Sequence, residues 1–441
     1  MCYPQPMCPF SPRRCIIPPS VTCNGVGGFV LSSAAPLKKE IGMRRTLLLL
    51  FSTAAALLLA SGTLLALPSQ KPDNTPMVDG RVRAIKQVGT NVWLGGRFSQ
   101  VTRRDGTVLG NVGNLAVLDS QTNRYKPIAP KLGGTDAEVW DIEPYGETGN
   151  LLIAGTFAGP TSTKKNLVLV DGSTGKVIRW YDSPSLKTVL AAPGLGRVYG
   201  GGRSLSAFEF STGKRLWTKA KTEVNVKRAH DSKPTYRDLK RDGKTIWAAC
   251  ICDAVNGNPA KALVKLGIEG NHDTSWRTQA GVGTSGESVV KYNGKLYLGA
   301  GGSDFVGQYD KGGGGSRDWV RDTSGSVQVV GLMDGKLVIG GHFYAVGDQG
   351  GDNCGAGRPG DVDKNGIPTL DPNNECATRQ GIAAYSFQGS LEPDWHPVYS
   401  GSYSLVWALH VEGSRLHTGG EFKKVSGVVQ NSYARLSPAS P

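Results

Sequence analysis

A short apolar strand that ends in Gly-Gly recurs along most of this chain, and this repeat constrains the fold more than any other feature. Seven copies align on the two glycines or on the small residues in their place: VWLGGRF from Val92, LLIAGTF from Leu151, VYGGGRS from Val198, IWAACIC from Ile246, LYLGAGG from Leu296, LVIGGHF from Leu337 and LHTGGEF from Leu416. Most copies follow a turn dipeptide such as Asn293-Gly294 or Asp334-Gly335, which is typical of a two-residue hairpin. An apolar or alternating strand precedes each of those turns.

A second phrase follows most of the Gly-Gly strands: a short apolar run, a turn and then an aromatic residue. The aromatic residues are Tyr125, Trp180, Trp217, Trp276, Trp319 and Trp395. Each repeat therefore has four antiparallel strands, an arrangement typical of propeller blades at a spacing of roughly 40–60 residues. We predict an all-β fold, a seven-bladed β-propeller of four-stranded antiparallel blades. The aromatic residues are expected to pack between blades. The glycines are expected to let neighbouring backbones approach closely, with a role in β-bulges as the alternative.

The seventh repeat ends at YARLSPASP and lacks a fourth strand. A candidate for the missing strand precedes the first repeat, where DNTPMVDGRVRAI from Asp73 resembles DWHPVYSGSYSLVWAL from Asp394. We predict that residues just before Val78 supply the outer strand of the last blade and close the ring, which removes its exposed edges. The predicted boundaries are a linker and closing strand at residues 67–79 and a propeller at residues 80–437, with an inserted loop at residues 347–380.

The segment before the repeats has the layout of an export signal. Residues 43–66 read MRRTLLLLFSTAAALLLASGTLLA, two arginines followed by an apolar run with small residues near its end. Cleavage after Gly62 is one prediction; the alternative is an uncleaved anchor, since residues 46–66 are long enough to span a bilayer. Residues 1–42 are either a disordered leader or precede the true start at Met43. The predicted location is extracellular or anchored to the outer face of the cytoplasmic membrane, with membrane contact only through residues 46–66.

The charge balance is strongly basic, with a formal net charge of +14. Such an excess could favour an anionic wall polymer, a lipid surface or nucleic acid. The basic residues are scattered in pairs such as Lys423-Lys424, without a dense run interleaved with aromatic residues. We therefore interpret the charge as a solubility feature and expect no nucleic-acid partner.

The insertion at residues 347–380 carries the one metal motif of the chain. The run DVDKNGI places oxygen-bearing side chains at alternate positions before a glycine, as calcium loops do. The candidate ligands are Asp361, Asp363, Asn365, Ile367 through its carbonyl, Thr369 and Asp371. The run departs from the EF-hand loop because its twelfth position is Pro372. The alternative is an acidic surface loop whose Asp and Asn residues make turns.

Four cysteines follow the N-terminal leader, and an even number in an exported chain favours disulfides. Cys354 and Cys376 bracket the insertion, so a bridge between them would restrict this loop in the unfolded chain. Cys250 and Cys252 form a C-x-C, for which a local disulfide or two partly buried thiols is favoured over a metal site.

Motifs of common enzyme classes are missing from the sequence: HExxH, the G-x-S-x-G elbow and the phosphate-binding loop do not occur. No quinone or nucleotide cofactor is indicated. The position after the Gly-Gly pair should face a loop or the channel rim. It carries Arg97, Thr156, His342 and Glu421 in four repeats, a mixed set that could bind a polar ligand. The alternative is that these side chains satisfy one another.

The combined phrases resemble a known group of proteins. The pattern Gly-Gly-x-Phe, then Thr-Gly, then Trp-x-Pro is similar to exported bacterial cell-surface β-propellers of unknown function. These are related in shape to quinoprotein amine dehydrogenase-like and PQQ-like repeat propellers. The resemblance rests on Gly340 to Phe343, Gly419 to Phe422, Thr174 to Trp180, Thr212 to Trp217 and Trp395 to Pro397. It implies a fold more than a function, because propellers serve as enzymes, lectins and scaffolds.

Two functions fit these patterns. The first is a non-enzymatic binding module or scaffold at the cell surface, with a protein or carbohydrate partner and a calcium-stabilised loop. The second is a propeller enzyme, an oxidoreductase or lyase acting on a sugar or alcohol in the central channel. Ionisable side chains that converge at one channel mouth would favour the enzyme, and an apolar or glycine-lined channel would favour the binder.

Overall fold

The computed structural model describes residues 67–159, 165–224, 233–279, 285–312, 314–348, 354, 376–402 and 405–439. The chain divides into Met1–Leu64 and Leu65–Pro441, and all described residues belong to the second part. They form β-strands and a single 3-10 turn, Pro193–Leu195. Among them there is no helix with the length and apolarity needed to cross a bilayer. The predicted signal or anchor at residues 43–66 lies outside the described residues.

The strands are short and follow one another closely along the chain. In the first half they are β1 (Met77–Val78), β2 (Arg81–Val88), β3 (Asn91–Arg97), β4 (Gln100–Thr102), β5 (Val108–Asn111), β6 (Leu115–Asp119), β7 (Tyr125–Lys126), β8 (Gly133–Pro144), β9 (Asn150–Ala158), β10 (Lys165–Asp171), β11 (Val177–Asp182), β12 (Thr188–Ala192), β13 (Arg197–Gly201), β14 (Leu205–Glu209), β15 (Arg215–Lys219) and β16 (Thr222–Glu223). In the second half they are β17 (Thr235–Asp242), β18 (Thr245–Ile251), β19 (Ala254–Val255), β20 (Asn258–Pro259), β21 (Leu263–Gly267), β22 (Ser285–Tyr292), β23 (Lys295–Gly301), β24 (Phe305–Asp310), β25 (Arg317–Asp322), β26 (Val327–Met333), β27 (Lys336–Gly341), β28 (Ala345–Val346), β29 (Ala377–Thr378), β30 (Ile382–Ser386), β31 (Tyr399–Ser400), β32 (Val406–Glu412), β33 (Arg415–Gly420), β34 (Lys424–Val425), β35 (Val428–Val429) and β36 (Tyr433–Leu436).

Each sequence repeat forms an antiparallel unit with the strand order expected of a meander. Unit 1 is β2-β3-β6-β7, unit 2 is β8-β9-β10-β11, unit 3 is β12-β13-β14-β15, unit 4 is β17-β18-β21, unit 5 is β22-β23-β24-β25, unit 6 is β26-β27-β30 and unit 7 is β32-β33-β36. The first strand of each unit is called the inner strand below. Smaller sheets form beside the units from the loops that follow the Gly-Gly strands: β1-β4-β5, β16-β19-β20, β28-β29 and β31-β34-β35.

The hairpins between inner strand and Gly-Gly strand form because their turn residues accept positive φ. Asp334 and Gly335 have φ of 46° and 75°, and Asn293 and Gly294 have φ of 45° and 75°. Asn, Asp and Gly tolerate this left-handed region, and two successive residues there give a turn that matches the twist of the strands. The turn dipeptides were therefore interpreted correctly from the sequence.

The two glycines of a pair have different roles. A Cβ on Gly95 would lie 2.5 Å from Cγ1 of Val139 on the next unit's inner strand, so the first glycine makes room for the neighbouring unit. A Cβ on Gly96 would lie 2.0 Å from the carbonyl oxygen of Arg81, on the partner strand within unit 1. The pairing register shifts at this point, between Val82 and Ala84. Both proposed roles of the glycines, close approach and bulge formation, are thus present in one dipeptide.

The same packing joins unit 7 to unit 1. A Cβ on Gly419 would lie 2.5 Å from Cγ1 of Val82, and Ala408 and Tyr433 share a buried cluster with Val82 and Ile85. The segment before β1 runs beside the last strand. Ser69 N–H donates to Ser437 O at 2.9 Å. The Asp73 N–H donates to Arg435 O at 2.8 Å, and the Asp73 carboxylate accepts from Arg435 Nε at 2.5 Å.

Units 4 and 6 depart from the expected four strands. Trp276 and Trp395 lie outside strands, and in each unit a single bridge replaces the outer strand: Leu266 with His272, and Tyr385 with Leu391. In unit 4 the Asp273 carboxylate accepts hydrogen bonds from Ser275, which holds the backbone in a local turn. In unit 6, Pro393 has no N–H to donate to a ladder.

The aromatic residues at the ends of the repeats pack between units, as the sequence predicted. The indole N–H of Trp276 donates to Asp310 O at 3.2 Å in unit 5, and that of Trp319 donates to Phe387 O at 3.1 Å in unit 6. Trp395 donates to Pro68 O at 2.8 Å, on the segment beside unit 7. Trp276 and Trp395 are 3% and 5% exposed, so these rings are structural contacts between units.

Candidate functional site

None of the predicted metal ligands lies in the described part of the chain. Asp361, Asp363, Asn365, Ile367, Thr369 and Asp371 all lie outside the described residues. Within the described ranges, no group of three His, Cys, Asp or Glu side chains is arranged to hold a metal ion. The calcium site therefore stays a prediction.

The described part of the chain contains two disulfides. One joins Cys354 to Cys376, the predicted pair at the ends of the insertion, and the other joins Cys250 to Cys252 in β18 and the residues after it. Both cysteines of the C-x-C are fully buried in a hydrophobic cluster. The local disulfide was one of two readings that the sequence left open for Cys250 and Cys252.

The four predicted rim residues stand at equivalent positions, where the second strand of a unit ends. Arg97 forms an exposed ion pair with Asp136 at 2.9 Å, with side chains 52% and 74% exposed. Thr156 Oγ1 and Ser185 Oγ are 2.5 Å apart, and Glu421 lies 3.7 Å from Arg81.

The fourth rim residue, His342, contacts its own unit. It accepts from Ser326 N–H at 3.3 Å, and burial lowers the pKa of its ring. Direct contacts among Arg97, Thr156, His342 and Glu421 are not observed in the described part of the chain. Each has a partner outside this set instead, so the alternative in which the four side chains satisfy one another is not shown either, and a polar-ligand site at these positions stays a prediction.

A different set of side chains lies close together at the β-bulges of the inner strands. In unit 1, Val82 and Ile85 both belong to the core although they are three residues apart. An alternating strand would place them on opposite faces, so the chain accommodates an extra residue, Arg83, between them. The register shifts at the matching point of five other inner strands. In unit 3, Leu186 and Val189 share the spacing, with Lys187 between them.

We call the residues at this position the bulge cluster. In the order of the units they are Arg83, Trp140, Lys187, Arg237, Glu287, Gln328 and Trp407. Glu138, two residues before Trp140, joins them through its ion pair with Arg83. Since one member comes from each unit, the cluster lies where the inner strands of successive units face one another.

Arg83 is the most enclosed cation of the cluster. Its guanidinium carbon lies 3.1 Å from the ring centroid of Trp407 and 4.2 Å from that of Trp140, in cation–π contact with both. Its Nε donates to Glu138 at 2.8 Å, and the two side chains are 5% and 10% exposed. Burial lowers the pKa of Arg83 to about 9, while Glu138 raises it, so the group stays charged at neutral pH.

Lys187 and Arg237 lie on the same indole. Lys187 Nζ is 3.1 Å and the Arg237 guanidinium carbon 5.6 Å from the centroid of Trp140. Arg237 donates to Glu287 at 2.6 Å. Burial lowers the pKa of Lys187 to about 7; the charge of Arg237 lowers it further, Glu138 raises it, and Arg83 lowers it again. A lysine that is partly neutral at physiological pH is characteristic of functional sites.

The charges and donors of the cluster are not balanced. Three cations face two carboxylates, so one positive charge lacks a counter-ion when Lys187 is protonated. Within the described residues, Arg83 Nη1 and Trp407 Nε1 are buried without a hydrogen-bond acceptor. The half-buried Lys187 Nζ lies against the face of Trp140, with no hydrogen-bond acceptor among the described residues. Unpaired buried donors are costly, and an anion with several oxygens would satisfy them.

In units 2 and 4, the residue after the bulge is an aspartate that ties its unit to the next one. The carboxylate of Asp141 accepts from Val189 N–H at 2.9 Å and from Thr188 Oγ1 at 3.0 Å. Asp238 accepts from Val289 N–H at 2.9 Å and from Ser288 Oγ at 3.1 Å in the same way. Burial raises the pKa of Asp141 to about 6. These contacts fix the inner strands relative to one another and so set the spacing of the bulge cluster.

The sequence contained a signal for the cluster that the repeat alignment did not use. The strands VRAIKQV, VWDIEPY and VWALHV each start with two apolar residues three apart, and the cluster residue follows the first of them. Alignment on the glycines directed attention to the position after the Gly-Gly strand. Alignment on the inner strands, with a test for this irregular spacing, would have selected the bulge position.

No protein-family model and no curated protein matches the chain. Among solved structures, the WD40 β-propeller domain of Doa1 is similar with a TM-score of 0.50 at 10% identity, covering 83% of this chain and 96% of that one. The computationally designed protein Ika8 has a TM-score of 0.47 at 14% identity, covering 83% of this chain and 99% of that one. At such low identity the likeness to the Doa1 domain indicates the fold alone. The chain has a β-propeller fold.

Proposed function

We propose that this chain is an exported, seven-bladed β-propeller that binds an anionic ligand at the bulge cluster of its central channel. The observation that carries this proposal is the uncompensated positive charge among Arg83, Lys187 and Arg237, together with donors that have no acceptor in the described residues. Sequestered cations of this kind bind carboxylate, sulfate or phosphate groups through charge-assisted hydrogen bonds.

The channel assignment depends on a closed ring of seven blades, which we propose from contacts between the last unit and the first. In this arrangement the contact of Gly419 with Val82 is the seam between the last blade and the first. The hydrogen bonds of Ser69 and Asp73 to the last strand support the N-terminal segment as its outer partner. The contacts of Trp407 with Arg83 and of Arg83 with Trp140 would then run across the seam and around the channel.

Export is supported by two separate features. Residues 43–66 have the layout of a signal, and the two disulfides are typical of oxidising compartments. At the cell surface the partner would be an acidic carbohydrate or an acidic protein segment. Calcium bound by the insertion would stabilise a loop that has few apolar residues.

An enzyme is the second candidate. The ionisable side chains of the bulge cluster favour it, since an apolar or glycine-lined channel was expected for a pure binding module. Lys187 is the residue with the properties of a catalytic nucleophile or base. Both carboxylates of the cluster, Glu138 and Glu287, are held by guanidinium groups, so neither is free to act as a general base. We therefore place binding first.

Isothermal titration calorimetry of the full chain with sodium glucuronate, lactate and sulfate tests the proposal at low ionic strength. We expect one saturable site for at least one of these anions, lost in Lys187→Met and kept in Lys176→Met. Lys176 is an exposed lysine in the turn after β10, so this control removes the same charge away from the channel. Absence of binding for all three anions, or equal loss in both variants, would contradict an anion site at the cluster.

A further inference from the structure

The amine of Lys187 is placed for covalent chemistry as well as for charge. Lys187 directly precedes β12, and its backbone is fixed because its N–H donates to Gly201 O at 2.8 Å. Its Nζ lies 3.1 Å from the centroid of Trp140, an aromatic face that shields the amine but accepts no proton. Among the described residues no carboxylate forms an ion pair with it. Lys240 is a contrasting half-buried lysine, with its Nζ 2.6 Å from Asp238.

The groups around Lys187 favour its neutral form. Arg83 and Arg237 contact the same indole, and the carboxylates of the cluster, Glu138 and Glu287, are each held by one of these guanidiniums. Burial and the neighbouring cations bring the pKa of the amine to about 7. By contrast, the pKa of Lys240 is raised by its carboxylate partner despite its burial. A neutral amine is the nucleophile that adds to carbonyl groups.

We propose that Lys187 forms a reversible imine with a small acid that carries a carbonyl group beside its carboxylate, as α-keto acids and glyoxylate do. This inference rests on the proposed anion site, since Arg83 and Arg237 would hold the carboxylate of the ligand. The neutral amine adds to the carbonyl carbon to give a carbinolamine, with a proton passing from nitrogen to oxygen. Loss of that oxygen as water then forms the C=N bond. The step consumes no oxidant or reductant, and water reverses it.

The arrangement of cations explains why both groups of the ligand are needed. A simple aldehyde would lack the carboxylate that satisfies Arg83 Nη1 and would gain little from the site. A simple carboxylate would bind but has no electrophilic carbon for the amine. Only an acid with both groups uses the cations and the lysine together.

Reductive trapping tests the imine directly. The full chain is incubated with pyruvate or glyoxylate and sodium cyanoborohydride, and the modified lysines are identified by peptide mass mapping. We expect Lys187 to be modified at least tenfold faster than exposed Lys176, with a rate that rises through pH 7 and then levels off. Lys187→Arg keeps the positive charge and should bind lactate without forming an adduct at this position.

Lactate, which has no carbonyl beside its carboxylate, separates the two proposals. Binding of lactate without preferential modification of Lys187 would overturn the imine and leave the anion site intact. Absence of modification, together with absence of binding for lactate, glucuronate and sulfate, would overturn both. Modification of Lys187 with the expected pH profile, blocked by excess lactate, would support both.

Discussion

At the scale of single residues, the side chains of the bulge cluster lower the stability of the fold, because like charges are held close together. Arg83, Lys187 and Arg237 are held close together in a partly buried space, although separation in water would cost less free energy. Trp140 and Trp407 offset part of this cost through cation–π contacts. Residues kept in such an arrangement are expected to have a role that compensates for the loss in stability.

Lys187→Met should stabilise the protein at neutral pH. The pKa of Lys187 is about 7 in the folded chain and 10.5 for an ordinary lysine. Between these values the unfolded chain binds a proton that the folded chain does not, so wild-type stability falls as pH falls from 10.5 to 7. Methionine removes this effect. We expect the variant to gain about 2 °C or more in Tm at pH 7, with the gain shrinking towards pH 10.5.

Thermal unfolding across this pH range checks the prediction, with exposed Lys176→Met as the reference. A gain for Lys187→Met that is independent of pH would indicate better packing and not a lowered pKa.

Arg83→Met should destabilise the fold because it leaves Glu138 buried without a counter-ion. Removing one partner of a buried pair costs about 3 kcal/mol or more. The matched control is Arg97→Met, which breaks an exposed ion pair with Asp136 and should cost less than about 1 kcal/mol. Urea denaturation measures both free energies of unfolding. Similar losses for the two variants would mean that Glu138 is less enclosed than its contacts indicate.

At the scale of strands, the Gly-Gly dipeptide links sequence to site. Its second glycine lies opposite the bulge, where a Cβ would collide with a carbonyl oxygen of the inner strand. For Gly420 this oxygen belongs to Leu405, at 1.7 Å from the position of a Cβ. The bulge in turn projects one cluster residue from its strand. The repeated second glycine therefore marks, in the sequence, the position of the bulge that carries each cluster residue.

Gly420→Ala should cost about 2 kcal/mol or more, because neither the strand nor its partner can move without losing ladder hydrogen bonds. Gly194→Ala is the control, since a Cβ there would meet no atom within 4 Å. We expect the control to stay within about 0.5 kcal/mol of wild type. Equal stability of both variants in urea denaturation would contradict the assignment of the second glycine to the bulge.

Much of the fold could be predicted from the sequence, because short local patterns determine its turns and hairpins. Turn dipeptides such as Asp334-Gly335 and the repeated Gly-Gly strands identified the hairpins, since few residues accept those conformations. The outer strands of units 4 and 6 were less predictable. The turn at Asp273 and the proline Pro393 leave only a single bridge where the outer strands of these units were expected. The aromatic residues that follow still match the sequence repeat, so the sequence did not reveal the difference. Whether the outer strand of a unit forms depends on such single residues.

The site was harder to predict because it depends on contacts between distant repeats. Arg83 lies 55 residues from its partner Glu138, and no local pattern specifies that the two meet. The low pKa of Lys187 arises from burial and from charges on other units. The sequence could identify an irregular spacing in each inner strand, but only the relative placement of the units turns these positions into one cluster.

At the scale of the whole molecule, the insertion and the bulge cluster have separate tests. Addition of millimolar calcium to the full chain should raise its stability by about 1 kcal/mol, as expected for a weak extracellular-type site. The increase should disappear after chelation and in Asp361→Ala/Asp363→Ala. Asp182→Ala, at an exposed aspartate, should keep it. If calcium leaves thermal unfolding unchanged, the DVDKNGI run binds no calcium and its Asp and Asn residues only make turns.

The most direct test of an anion site in a propeller channel is the anomalous scattering of bromide in crystals of the full chain. We expect a bromide peak among Lys187, Arg83 and Arg237 that is absent from crystals of Lys187→Met, while surface bromide peaks are the same in both. Wild-type crystals with bromide only at surface lysines and arginines, and none at the bulge cluster, would contradict the proposed anion site.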